Sequence, residues 1–319
     1  MKYFAYKVSS FFVIICLLSW GMDSLISTGL KKSENKLFHN LTKINKGEIN
    51  ADLIINGSSK ALVQVNPLVL DTLLDINSYN LGLDGTPFIP QKAQFELYKL
   101  HNVKPKYIVQ IVSNGTLRNM DSGFRNHIKF APYLNVDEVE NLMLKTGSYN
   151  YLDYRIPLYK YAGNPFEIGT GILSYFGFQL FKATDQKGYF PQNKEWEDIQ
   201  LITPNTTVDE LSYNTIDSFI KIDPTSRLEF ESFLEECKNN QIIVFLVYPP
   251  IHSSSSATIK NNKYYEQISK EFDFHFLDYS QDSSFSFNKD YFYNSQHLNS
   301  SGADLFSLRL ATDIKMLIK

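Results

Sequence analysis

The chain has 319 residues, 31 basic against 34 acidic, for a net charge of −3, with 43% apolar and 20% charged residues. That is room for a short anchor and one large domain, or two small ones, with a sizeable core. It has no Lys/Arg block and no acidic tail, so nucleic acid is not an expected partner. Two cysteines, Cys16 in an apolar run and Cys237 in a helical stretch, give no disulfide framework and no metal-type Cys/His spacing.

Val8 to Met22 carries no charge. Fifteen helical residues reach about 22 Å, short of the roughly 30 Å hydrocarbon core. Extension back to Tyr3 gives the length, with Lys7 snorkelling at one interface and Trp20 at the other. The expectation is an uncleaved N-terminal anchor with the rest of the chain extracytoplasmic, periplasmic or at the cell surface. A cleaved secretory signal, using Ser19-Trp20-Gly21 as a small-x-small site, is the alternative. Residues 23–50, with Lys31, Lys32, Lys36, Lys43 and Lys46, read as a polar stalk.

From residue 51 short apolar runs alternate with helical stretches. Ala51–Asn56, Ile76–Tyr79, Tyr107–Val112, Ile242–Tyr248 and Phe274–Asp278 read as strands, the fourth continuously apolar as a strand covered on both faces must be. Pro67–Leu74, Gln91–Leu100, Arg227–Asn239, Thr258–Phe272 and Ala303–Ile318 read as helices. The alternation predicts a three-layer α/β/α sandwich around a mainly parallel five-stranded sheet. The interval 115–225 breaks the alternation. It is rich in Tyr and Phe, among them Tyr149, Tyr151, Tyr161, Phe166, Phe176 and Phe178, and reads as an insertion whose rings are core. Ser253–Ser256 reads as a loop.

Ligands of open parallel sheets bind beyond the carboxyl ends of the strands. There this chain carries Asn56-Gly57-Ser58-Ser59, Asn80-Leu81-Gly82-Leu83-Asp84-Gly85, Ser113-Asn114-Gly115, Pro249-Pro250-Ile251-His252 and Asp278, and a late loop carries Asn294-Ser295-Gln296-His297. A hydroxyl, an imidazole and amide donors on one edge are what acyl transfer requires. Each piece also has a plainer reading. Gly-Ser-Ser can be a turn and helix cap, with Ser58 competing for either role. The glycine-rich segment can be a tight loop, a lone His can be structural, and His252 reads as a loop residue.

The first segment resembles the opening block of the SGNH/GDSL hydrolases, in which Gly-x-Ser sets the nucleophile, here Ser59. Asn80–Gly85 resembles the second block, which implies Gly85 as a backbone oxyanion donor. His297-Leu298-Asn299-Ser300-Ser301-Gly302-Ala303 is similar to the terminal block, which implies His297 as base. The resemblance covers residues 51–114 and 240–312. It implies domain bounds of 1–50 for anchor and stalk and 51–319 for the SGNH-like domain with its insertion. In layout the chain resembles membrane-anchored DltD-like and alginate-acetylation-like members. That implies an esterase or O-acyltransferase acting on acylated glycans or envelope polymers without a cofactor or metal, with a multi-pass membrane acyltransferase as a partner.

Two positions depart from the pattern. The family's Asp three residues before the His is Asn294 here, so Asn294 orients the ring, or Asp290 or Asp278 substitutes, or catalysis is lost. The third block lacks its Gly-x-Asn-Asp, leaving Asn114 as the side-chain oxyanion donor. The rival readings are a catalytically impaired SGNH-fold binding or scaffold protein of a surface polysaccharide modification system, and a structural domain in which Ser59 and His297 lie far apart.

Overall fold

The computed structural model describes residues 1–120, 123–197, 221–255 and 261–318. It forms two compact units. One comprises Ile49–Phe95, Asn102–Asn119 and Asp185–Lys319, the other Met1–Glu48, Glu96–His101 and Met120–Thr184. The division therefore runs differently from the expected 1–50 and 51–319, since much of the 115–225 interval groups with the N-terminal segment.

The strands are β1 Leu53–Asn56, β2 Ser78–Asn80, β3 Tyr107–Ile111, β4 Ile243–Tyr248 and β5 His275–Asp278, with a separate hairpin of β6 Phe292–Asn294 and β7 His297–Leu298. In chain order the helices are α1 Lys2–Leu30, α2 His39–Asn45, α3 Ser59–Gln64, α4 Pro67–Leu74, α5 Phe88–His101, α6 Asp137–Leu144, α7 Tyr151–Arg155, α8 Pro165–Tyr175, α9 Pro224–Asn239, α10 Asn262–Phe272, α11 Ser283–Ser286 and α12 Ser300–Leu317.

The large sheet is parallel throughout, in the order β2-β1-β3-β4-β5. The α/β sandwich expected from the alternation is the fold observed. Strand side chains alternate between two covered faces. Leu53, Ile55, Val109, Ile111, Phe245 and Val247 share one buried cluster with Leu70 of α4 and Phe306 and Leu310 of α12. On the other side Phe88 and Phe95 of α5 meet Phe230 and Phe233 of α9 edge to face, and Phe230 meets Tyr265 of α10. Chain order reverses at β1, which has β2 on one side and β3 on the other, and such a switch point opens a crevice above the strand ends.

Helix limits shift for local reasons. Helix α9 starts at Pro224 because Asp223 caps it, accepting from Ser226 N–H at 2.8 Å. Helix α5 starts at Phe88 and keeps Pro90 in its first turn, where its missing N–H costs nothing. The expected start of the Thr258–Phe272 helix, Ser256 of the serine loop and residues 198–220 of the insertion lie outside the described residues.

In the other unit, α1 runs on past Met22, so residues 23–50 are not a free stalk. Ile26, Leu30, Phe38, Leu41 and Ile44 are buried, at helical spacing that the five interleaved lysines disguise. Helix α1 meets α8 so closely that a Cβ on Gly29 would sit 1.8 Å from the Gly171 carbonyl oxygen. Lys160 pairs with Asp23 at 2.9 Å, and Ser27 shares a 2.7 Å hydrogen bond with the Tyr161 hydroxyl. Of the aromatic residues expected to be core, Tyr149 and Tyr161 are buried, but Tyr151, Phe166, Phe176 and Phe178 are exposed. Among the described residues α1 is the one helix long and apolar enough to cross a membrane, and its Tyr3–Trp20 stretch is largely uncovered.

Candidate active site

Strand β1 ends at Asn56, and the chain turns through Gly57 into α3. Gly57 has φ +153°, and a Cβ there would meet Ala61 Cβ and Ile111 Cβ at 2.8 Å, so the turn needs glycine. Ser58 occupies the cap position without a side-chain capping bond, and Ser59 opens the helix. Both serines are half-buried. Ser59 Oγ lies 2.9 Å from His297 Nε2.

His297 starts β7, two loop residues after β6, so Asn294 and His297 are cross-strand partners in the hairpin register. A spacing of three across a two-residue loop makes them neighbours. His297 Nδ1 lies 3.1 Å from Asn294 Oδ1, which also accepts from Gln296 N–H at 2.9 Å. That second donor fixes the amide's orientation. An acceptor oxygen must face Nδ1, so Nδ1 carries the proton and Nε2 presents its lone pair to Ser59. Tyr293 stacks on the imidazole with ring centroids 5.5 Å apart and 12° between planes.

The alternative acids are elsewhere. Asp278 accepts from Ser280 N–H at 2.9 Å and from Asn262, so its carboxylate closes the turn after β5. Asp290 has an exposed side chain, and its backbone carbonyl accepts from Asn299 Nδ2 at 2.7 Å. With a neutral partner on Nδ1, burial first and the Lys60 ammonium second push the His297 imidazole down to about 3. His297 as a whole is part-buried, and both causes act in the same direction, toward the unprotonated base.

Lys60 is a site residue that sequence reasoning missed. It is buried, it donates to Gln296 Oε1 at 3.2 Å, and it lies over the Tyr248 ring at 5.5 Å. Gln64 Nε2 donates to the Gln296 carbonyl at 3.2 Å. Together they tie α3, which carries Ser59, to the loop that carries His297. His252 does the same from the β4 side: its backbone N–H donates to the Ser295 carbonyl at 3.0 Å, while its ring is buried against Trp196 and Phe292.

Gly85 and Asn114 stand beyond the ends of β2 and β3, the two strands that flank β1. Gly85 has φ +66°, and its carbonyl accepts from Arg118 at 3.1 Å. Asn114 is buried, and its carbonyl accepts from Asn261 Nδ2 at 3.2 Å. Asn80, the first residue of the second motif, is a staple. Its Nδ2 donates to the Ala61 and Val65 carbonyls at 2.7 and 2.8 Å, and its Oδ1 accepts from Gly82 N–H at 2.8 Å. Below the crevice a buried amide chain runs from Asn56 to Gln110 to Gln91 to the Thr86 carbonyl, with steps of 2.9, 3.0 and 3.0 Å. The one clue to it was Gln110, a lone polar residue inside an apolar strand.

No family model matches the chain, and no curated protein matches it. The solved structures similar to it include the following two. One, from Desulfitobacterium hafniense DCB-2, is described as a lipolytic protein of the G-D-S-L family; it has 13% identity and a TM-score of 0.43, with 82% of this chain and 97% of that one covered. The other, from Streptococcus pneumonia, is described as a platelet activating factor; it has 10% identity and a TM-score of 0.41, with 97% and 99% covered. These are distant likenesses of backbone course, and the chemistry rests on this chain's own side chains.

Proposed function

We propose that the protein is a serine esterase or O-acyltransferase of the SGNH/GDSL type, with Ser59 as nucleophile, His297 as general base and Asn294 as the residue that positions the imidazole. The observation that carries this is the 2.9 Å contact between Ser59 Oγ and a His297 Nε2 whose lone pair is directed by the Asn294 bond. Ser59 Oγ adds to an acyl carbonyl as its proton passes to Nε2 and the carbonyl electron pair moves onto oxygen. Collapse expels the alcohol oxygen, which takes the proton from Nε2 and leaves an acyl ester on Ser59. Water or a sugar hydroxyl then repeats the sequence in reverse. The Gly85 and Ser59 N–H groups and the Asn114 amide are the proposed oxyanion donors. An acylated glycan or envelope polymer, met outside the cytoplasm by a domain held on an N-terminal helix, is the substrate class that the motifs and the anchor together favour.

A fluorophosphonate probe tests the assignment. The folded wild-type chain is expected to be labelled covalently, Ser59→Ala to lose the label, and Ser58→Ala to keep it. Labelling that survives Ser59→Ala removes Ser59 from the mechanism.

Asn294 favours a second reading, a binding protein that keeps the fold with little turnover, because a neutral partner cannot stabilise an imidazolium. In serine proteases the corresponding Asp-to-Asn change costs about 10⁴ in turnover. An unlabelled wild type beside a labelled Asn294→Asp variant selects that reading.

A further inference from the structure

The β6–β7 hairpin turns through Ser295 and Gln296. Side chains of such a surface loop ordinarily face solvent. Gln296 does not. It is part-buried, and its backbone and side-chain polar groups are all engaged. Its backbone N–H donates to Asn294 Oδ1 at 2.9 Å, and its carbonyl accepts from Gln64 Nε2 at 3.2 Å. Its Oε1 accepts from Lys60 Nζ at 3.2 Å, and its Nε2 donates to Ser255 Oγ in the loop after β4. An ammonium only donates, so the amide has one orientation, oxygen to Lys60 and nitrogen to Ser255.

Lys60 follows Ser59 directly, and Gln296 directly precedes His297. Two contacts therefore bridge the same two segments side by side: Ser59 to His297 at 2.9 Å, and Lys60 to Gln296 at 3.2 Å. The second constrains the first. An apolar side chain at position 60 would fill the space without the cost of burying an ammonium. It would also not repel an imidazolium, whereas Lys60 lowers the His297 pKa, second only to burial. What Lys60 supplies is a directed donor to the residue beside the base. Of the other charges around the hairpin, Lys194 lies over the Tyr293 ring at 5.9 Å, Lys289 lies over the Trp196 ring at 4.8 Å, and Asp290 is exposed.

We infer that Gln296 is a positioning residue of the acyl-transfer site: held by Lys60 and Ser255, it fixes the separation of Ser59 Oγ and His297 Nε2 and the amide setting of Asn294. The inference rests on the Ser59–His297 reading above and adds to it the group that keeps the pair in register. Gln296 itself transfers no proton.

The rate of fluorophosphonate labelling at Ser59 in the full chain, followed against pH, tests this. Gln296→Met keeps the side-chain volume and loses both side-chain bonds. Its labelling is expected to be slower by about ten- to a hundredfold, the order that a small misplacement of reacting groups costs. Gln296→Glu keeps an acceptor for Lys60 and should recover most of the rate. Its carboxylate also offsets the ammonium beside His297, so its acid limb should lie about 1 pH unit or more above that of the wild type. A peg with a structural role alone would lower the melting temperature of both variants without moving that limb. Where Gln296→Met melts well below the wild type, Ser255→Ala, which cuts the brace from the β4 side, should slow labelling in the same direction. Wild-type speed in Gln296→Met or in Ser255→Ala, or coincident acid limbs in Gln296→Glu and the wild type, overturns the inference while Ser59 stays assigned. A wild type that is not labelled, or a label that survives Ser59→Ala, overturns the Ser59–His297 reading and this inference with it.

Discussion

Asn294 decides how His297 behaves. A part-buried imidazole beside Lys60 and without a carboxylate stays neutral well below its ordinary range, with a pKa pushed to about 3. The base is therefore available in acid, and the acid limb of the activity profile should fall below pH 6.5, the unperturbed histidine value. Asn294→Asp keeps the acceptor for Gln296 N–H and puts a negative charge beside Nδ1. The acid limb should rise by about 1–3 pH units, with turnover raised as well. A pH profile of ester hydrolysis in the two forms checks this, and coincident limbs would show that Asn294 does not set the base. The same shift appears in stability. Between about pH 6.5 and 3 the unfolded chain takes up a proton that the native ring refuses, so stability at this residue is present above 6.5 and is lost as pH falls. Urea unfolding of His297→Gln should show a shallower loss over that window than wild type. Parallel curves would mean that the native ring titrates normally.

The elements around the site explain why its motifs read partly as chemistry and partly as carpentry. In the terminal block His297 alone faces Ser59. Asn299 caps α12 by accepting from Gly302 N–H at 3.0 Å, and Gly302 is small because a Cβ would sit 2.2 Å from the Tyr291 carbonyl oxygen. In the second block Asn80 ties two α3 carbonyls to the loop after β2, and a Cβ on Gly82 would fall 2.3 Å from Leu62 N. Asn80→Ala removes the side-chain partner of the Val65 carbonyl and of Gly82 N–H and one of the two donors to the Ala61 carbonyl, which keeps Val65 N–H, and should cost about 2–4 kcal/mol in urea unfolding. Loss below about 1 kcal/mol would show that the loop relaxes around the change. Strands β1, β3 and β4 were legible because their side chains are largely covered on both faces, which makes near-continuous apolar runs; β2, Ser-Tyr-Asn, and the part-exposed β5 gave weaker signals. The β6–β7 hairpin was not legible: strands of three and two residues leave no periodicity to detect. Lys60 was hidden for another reason, since nothing in its spacing shows that Gln296, far along the chain, returns to meet it.

At the scale of the whole chain, α1 is two helices in one. The stretch to Met22 is uncovered, whereas Ile26, Gly29 and Leu30 are built into the unit they share with α8. Composition reveals the first part at once. It misses the second, because one Ile and two Leu among polar neighbours do not stand out until α8 lies against them. Removal of residues 1–22 should release the chain from the membrane fraction and leave its melting curve nearly unchanged. Removal through Leu30 deletes two buried aliphatic side chains at about 1.5–3 kcal/mol each, and with them the Asp23–Lys160 pair. A loss of roughly 3–6 kcal/mol is comparable to the entire 5–15 kcal/mol of an ordinary domain, so the longer deletion should open this unit to proteolysis. A cleaved secretory signal ending near Gly21 would spare the buried half and imitate the shorter deletion. Intact mass of the purified native protein therefore separates anchor from signal: retention of residues 1–22 in a carbonate-resistant membrane fraction supports the anchor, and a mature chain starting near Met22 in the soluble fraction overturns it.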